Sequence, residues 1–212
     1  MIYDITQPIS ESMKVYPGDP TVSIETLSDV STGAPYSLSK ISMGSHTGTH
    51  VDAPNHLISG GNTIDNIALD ALVGSCTVIY CNTNMGISIQ DLDRMEVPSD
   101  TKRLLIRTKQ STGYLSREAA VRLVEAGVKL VGIDSSSVDA PASLHLAVHQ
   151  TLLKTETIIV ENLALDNVEP GNYWLVCLPL RLQGCDGAPA RAILMDNTPN
   201  TMPITSGEVS HD

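Results

Sequence analysis

Apolar and β-branched residues fall in short runs along most of this chain, and helical spacing is confined to its second half. In the first third, residues 2–6, 22–27 and 36–43 read as strands. They are punctuated by Pro8, by the turn Tyr16-Pro17-Gly18-Asp19-Pro20 and by Gly33. Residues 77–81 and 104–108 are further strand-like runs. Ser116 is placed to cap a helix over 117–126 with Gly127 as its stop, and 128–133 returns to strand. A strand, a helix and a strand in that order predict a βαβ unit with parallel pairing. A second helix is expected over 143–153, just after Pro141, and strands over 157–160, 173–178 and 192–195. The helices are too few for a barrel of eight repeats. The pattern predicts one α/β domain over residues 1–212, a mixed sheet or barrel-like core with helices outside it.

Composition narrows the picture modestly. Hydrophobic residues make up 42% of the chain, but there is one Trp, six Tyr and no Phe, so the core must be aliphatic. The formal net charge of −11 argues against a nucleic-acid backbone or an anionic membrane as partner, since both require Lys and Arg. Cys76, Cys81, Cys177 and Cys185 form no Cys-x-x-Cys pair and read as reduced thiols. The first residues carry no secretory pattern, and no apolar stretch approaches the roughly 18 residues of a membrane span. A soluble, cytoplasmic protein is expected.

The six histidines change the picture most. His46, His50 and His56 lie within eleven residues, His145 and His149 within five, and only His211 stands apart in the polar tail. Two imidazole clusters far apart in sequence suit a site assembled across the fold, and carboxylates beside them suit a divalent cation. In the segment 46–56, a helix would split His46 and His50 from Asp52 and His56, and Thr47, Thr49, Val51, Gly48 and Pro54 oppose one. An extended chain instead points His46, His50 and Asp52 the same way. Gly48, on that side, would leave room for an ion or substrate. Pro54 should end the strand, leaving the direction of His56 open. On a helix, His145 and His149 would share a face. Glu161 directly follows the apolar run 158–160, either as a solvated strand end or as a group aimed into a site. No Gly-x-Ser-x-Gly elbow occurs, so a serine-hydrolase mechanism has no support.

The run His46-Thr47-Gly48-Thr49-His50-Val51-Asp52-Ala53-Pro54-Asn55-His56 resembles the signature of the cyclase-like metal-dependent hydrolases, a family that includes bacterial kynurenine formamidase and isatin hydrolase. The resemblance continues through Tyr16-Pro17-Gly18-Asp19, Gly132-Ile133-Asp134, Ser137-Val138-Asp139, His149 with Glu161-Asn162-Leu163, and Asp186-Gly187-Ala188-Pro189-Ala190-Arg191. It implies a swivelling β/β/α-type fold and a homodimer or higher homo-oligomer. It also implies a first metal on His46, His50 and Asp52 and a second on Asp52, His149 and Glu161, with Asp52 and Glu161 able to bridge. Zinc, one or two per chain, is the implied cofactor, with manganese the alternative. His56 matches the family's proton donor and acceptor. Tyr16 stands where the formamidases usually present a Trp to an aromatic substrate. His145 is additional to the pattern and reads as outer or structural, and Arg191 as an ion-pair residue. The activity implied is hydrolysis of an aryl formamide by metal-activated water. The alternatives are a ring-opening cyclic amide hydrolase and a metal-binding protein without turnover.

Overall fold

The runs read from the sequence resolve into a sheet that closes on itself. The computed structural model describes residues 1–83 and 85–196, so His211 lies outside the described residues. Along the chain these are β1 (Ile2–Asp4), β2 (Ser23–Ser28), β3 (Leu38–Ser42), β4 (His50–Asp52), α1 (Leu69–Leu72) and β5 (Val73–Cys81). There follow β6 (Gly86–Ile87), α2 (Ile89–Arg94), β7 (Arg103–Thr108), β8 (Tyr114–Leu115), α3 (Arg117–Glu125) and β9 (Leu130–Ile133). The last are α4 (Ala147–Leu153), β10 (Ile158–Glu161), β11 (Gly171–Pro179) and β12 (Gly187–Asp196).

The main sheet runs β1-β12-β11-β5-β7-β9-β10-β4, and β4 pairs back to β12. Closure depends on the length of β12. Its first residues pair with β4 (Gly187↔Asp52), and its last pair with β1 (Ile2↔Met195). β5, β7, β9 and β10 are mutually parallel, and the remaining pairs of this sheet are antiparallel. The expected βαβ unit is β7–α3–β9, with Ser116 Oγ accepting the Ala119 N–H at 3.1 Å as its cap.

Alternation along the parallel strands builds two aliphatic layers. Leu105, Leu130, Ile158 and Val160 point into the barrel. Leu104, Ile106, Val131, Ile133 and Ile159 point outward and pack with Ala119, Ala120 and Leu123 of α3 and Val148, Leu152 and Leu153 of α4. The two walls of the barrel and one helical layer make up the β/β/α architecture. Cys76, Cys81 and Cys177 are buried, Cys185 is half-buried, and none is in a disulfide. Among the described residues no helix is long and apolar enough to cross a membrane.

Two expectations need correction. The helix predicted over 143–153 begins only at Ala147, because Leu146 adopts a left-handed conformation (φ 42°, ψ 50°). The Val148 and His149 N–H groups are satisfied by the distant Asp139 carboxylate, at 2.9 and 3.0 Å. His145 therefore precedes the helix, is exposed, and shares no face with His149. The strand predicted over 192–195 starts earlier, at Gly187. Pro189 lies within it, and its carbonyl accepts the Leu180 N–H at 3.0 Å.

Candidate metal centre and active site

β4 and β10 lie side by side with Glu161 opposite His50 and Ile159 opposite Asp52. Val51 and Val160 turn into the barrel, so His50, Asp52 and Glu161 face outward together. His149 approaches from the first turn of α4, and a short 3-10 turn, Pro54–His56, brings His56 to the same place. These residues and His46 line one cavity of about 230 Å³, with Tyr16, 42% exposed, at its edge. The structure thus brings together every ligand expected from the sequence, with His56 and Tyr16. Arg191 lies away from them, paired with Asp4 (Nε to Oδ1, 3.0 Å), as expected of a structural ion pair.

The extended reading of 46–52 is right in direction and wrong in geometry. A straight strand would hold residues 46 and 52 roughly 20 Å apart, yet His46 Nδ1 lies 2.8 Å from Asp52 Oδ1. Gly48, at φ +63°, turns the chain and folds His46 back; only His50–Asp52 enters the ladder. A Cβ at Gly48 would meet Ile9 and Met13, and the glycine itself serves the turn and lines the cavity beside His46 and His50. Gly187 permits a close approach. A Cβ there would sit 2.8 Å from His46 Cε1 and 2.8 Å from the Val51 carbonyl oxygen.

The imidazole orientations are strongly constrained. His50 donates Nδ1–H to the Gly48 carbonyl at 2.8 Å, which turns Nε2 toward Asp52 Oδ1 (3.2 Å) and Glu161 Oε2 (3.5 Å). His149 Nδ1 is held by Asp139 Oδ2 at 2.7 Å, which turns its Nε2 toward Glu161 Oε1 (3.2 Å) and Asp52 Oδ2 (3.4 Å). Glu161 Oε1 also accepts the Val138 N–H at 2.8 Å. Asp52 Oδ2 is buried without a hydrogen-bond partner; the approach of His149 is an ion-pair contact and not an aligned bond. Two lone pairs aimed at carboxylate oxygens repel unless a proton or a cation stands between them.

In the absence of a cation, the carboxylates favour the protonated imidazoles. Burial opposes charging His46, but the Asp52 and Asp186 carboxylates outweigh it and raise its pKa from 6.5 to about 9. Burial likewise opposes charging His50 and His149. Asp52 and Glu161 raise the former, and Asp139, Asp52 and Glu161 raise the latter well above 6.5. Asp52 is held well below the usual carboxylate range by His50, His149 and His46 despite its burial. His56 behaves oppositely. Burial lowers its pKa, and the neighbouring His46 and His149 lower it further against the pull of Asp52 and Asp186. An imidazole biased toward its neutral form therefore stands beside others biased toward the protonated form.

Among the described residues, three groups present ligand atoms within 4.8 Å of one another: His46, His50 and Asp52; Asp52, His149 and Glu161; and His46, His56 and Asp186. Donor chemistry and the unpartnered Asp52 oxygen fit the first two to a cation. The third includes Asp186, which received no role from the sequence. Its Oδ2 lies 2.9 Å from His46 Nε2 and 3.5 Å from His56 Nδ1, and Ser45 Oγ donates to its Oδ1 at 3.0 Å. Burial opposes its ionisation, but His46 outweighs it and lowers its pKa to about 2. Asp139 was also missed as a functional residue. Nothing in its local spacing marks a carboxylate that will reach a helix eight residues on.

Residues 3–140 match the family described as "Putative cyclase". The kynurenine formamidase of Polaromonas naphthalenivorans is 35% identical over 203 residues, covering 92% of this chain and 91% of that protein. The kynurenine formamidase of Bacillus anthracis is 33% identical over 200 residues, covering 90% and 95%. Among solved structures, a predicted metal-dependent hydrolase from Bacillus stearothermophilus superposes with a TM-score of 0.80 at 33% identity, covering 93% of this chain and 98% of that one. Isatin hydrolase A from Labrenzia aggregata superposes with a TM-score of 0.80 at 23% identity, covering 92% and 93%, a likeness of fold.

Proposed function

The chain belongs to the cyclase family, and from that premise we propose that it is a metal-dependent hydrolase of amide C–N bonds, with an aryl formamide as substrate. One observation carries the reading. The Nε2 atoms of His50 and His149 face the oxygens of Asp52 and Glu161, while both Nδ1 atoms are already committed. In this reading His46, His50 and Asp52 hold one cation, and Asp52, His149 and Glu161 hold a second. A mixed imidazole and carboxylate set suits zinc, one or two per chain, or manganese. When bound, such a cation supplies Lewis acidity, acidifying water and offsetting negative charge that develops on a carbonyl oxygen.

The chain's own residues supply the proton traffic. His56, neutral and half-buried in the cavity, accepts the proton of the attacking water at one ring nitrogen and returns it to the departing nitrogen. Asp186, 3.5 Å from its Nδ1, orients the ring. A proton donor matters because an amide nitrogen leaves poorly unless protonated. The Tyr16 ring at the cavity edge offers a stacking surface for an aromatic group. Relatives at 33–35% identity bear the formamidase name, whereas the isatin hydrolase likeness is one of fold, which favours the formamide over a lactam. A metal site without turnover would gain nothing from an unligated base in the cavity. Homo-oligomer formation goes with this reading and is supported by exposed Leu27, Leu38 and Ile41 on the β2–β3 hairpin. A cytoplasmic location is supported by the four unpaired cysteines.

Metal analysis joined to a substrate comparison tests the proposal. Protein prepared without chelator should carry about one to two equivalents of zinc or manganese and hydrolyse N-formylaniline faster than an aliphatic formamide. Bound metal with isatin opened and N-formylaniline untouched would transfer the assignment to the lactam class. Failure to bind either metal would end the metal reading altogether.

A further inference from the structure

β10 ends at Glu161, and the next residue leaves the strand in a left-handed conformation, with Asn162 at φ +56°. Three segments hold it there. Its N–H donates to the Ser135 carbonyl at 2.9 Å, and its carbonyl accepts the Thr49 hydroxyl at 2.6 Å. Thr49 Oγ1 in turn accepts the Gln7 N–H at 2.9 Å. The left-handed residue breaks the alternation of β10. Leu163 now fills the barrel interior, and Asn162, half-buried, lines the same cavity as Glu161 and His56. Non-glycine residues at positive φ are uncommon and costly, and they collect at functional sites when the surroundings enforce them.

Among the described residues, the Asn162 side-chain amide makes no hydrogen bond, although its backbone is bonded on both sides. The neighbouring imidazoles and carboxylates are committed to one another or to proton transfer. Asn162 therefore supplies what that set lacks, a neutral N–H donor that does not titrate. We infer that Asn162 is a substrate-binding residue whose Nδ2–H donates to the carbonyl oxygen of the amide being cleaved. The inference rests on the amide-hydrolase reading above. A donor held in advance where an oxygen gains negative charge acts more strongly in the transition state than in the ground state, so its effect belongs in kcat.

The competing explanation is that Asn occupies the position only because it tolerates positive φ. Asn162→Gly separates the two. Glycine adopts this backbone freely and keeps both backbone hydrogen bonds, while the amide alone is lost. Asn162→Asp keeps the shape and replaces the donor by an acceptor. With zinc-loaded protein and N-formylaniline, both variants should lose about 100–1000-fold in kcat, the range for losing one donor of this kind. Zinc content should stay at the wild-type value in both, and the Asn162→Gly melting temperature should not fall. Full activity in Asn162→Gly would show that the residue serves the backbone alone and overturn the inference. Loss of zinc together with activity would make it a support for Glu161 and also overturn it. An active Asn162→Asp beside an inactive Asn162→Gly would overturn the donor assignment. Wild-type protein that binds zinc but cleaves neither N-formylaniline nor isatin would remove the amide-hydrolase reading before any substitution is made, and the inference with it.

Discussion

His50 and His56 are six residues apart and have opposite electrostatic surroundings. His50 faces two carboxylates across 3.2 and 3.5 Å, whereas His56 is desolvated, has two other imidazoles beside it, and meets Asp186 only at 3.5 Å. The first is suited to share a cation and the second to accept a proton. His50→Ala should lose both bound metal and activity. His56→Ala should keep its metal and lose about 10²–10⁴-fold in turnover, the usual contribution of a general acid–base group. Equal metal loss in the two variants would make His56 a ligand alongside His46 and Asp186, which also fall within coordinating distance of one another. At this scale the sequence was informative about residue identity, because imidazoles and a carboxylate at 46, 50, 52 and 56 have few other uses. It was silent on Asp186 and Asp139, whose partners stand 140 and 10 positions away.

Among the elements, α4 shows how the site and the fold depend on one another. Its preceding residue, Leu146, offers no side-chain cap, and Asp139 takes over that task while holding His149 Nδ1. Asp139→Ala should cost roughly 0.5–2 kcal/mol for the lost cap and about 10–100-fold in metal affinity for the lost orienting partner. Asn at this position keeps an acceptor oxygen for the helix but no anionic partner for His149. Asp139→Asn should therefore recover much of the melting temperature and little of the affinity. If metal titration of the apoprotein gives unchanged affinity in both variants, Asp139 is a helix cap and nothing more. Elements with local signals were legible: Ser116 and Gly127 bracket α3, and the β-branched runs mark β5, β7, β9 and β10. The start of α4 and the first half of β12 were not. Each depends on a partner outside its own local window, Asp139 for the helix and β4 for the strand, which overrides the local appearance of residues 143–146 and 187–189.

For the whole molecule, the consequence is a stability that depends on pH differently in the free and loaded forms. His46 is raised from 6.5 to about 9 in the folded metal-free protein, and His50 and His149 are raised as well. A pKa raised by folding stabilises the fold fully below the unfolded value, and that contribution is lost as pH climbs through the folded one. The metal-free protein should therefore melt at progressively lower temperature between about pH 6.5 and pH 9. A bound cation replaces those protons, so the loaded protein should not follow it, and metal binding should release protons. Calorimetry of both forms across this interval checks the expectation. A metal-free melting temperature that rises with pH would contradict the proton-sharing arrangement.

Hydrophobic period, turn residues and one dense histidine segment pointed to an aliphatic α/β fold, its βαβ unit and the candidate ligands His46, His50 and Asp52, while His149 and Glu161 were reached through the family resemblance. These are properties of side-chain identity and local spacing, and both are written in the chain. Closure of the barrel, the turn at Gly48 that carries His46 back to Asp52, and the meeting of β4, β10 and α4 were decided by tertiary structure. So was the exposure of His145, which the sequence alone grouped with His149. The reason is physical. Whether a backbone group finds its partner at four residues or at a hundred and forty depends on which surfaces pack together, and local propensity carries no record of that.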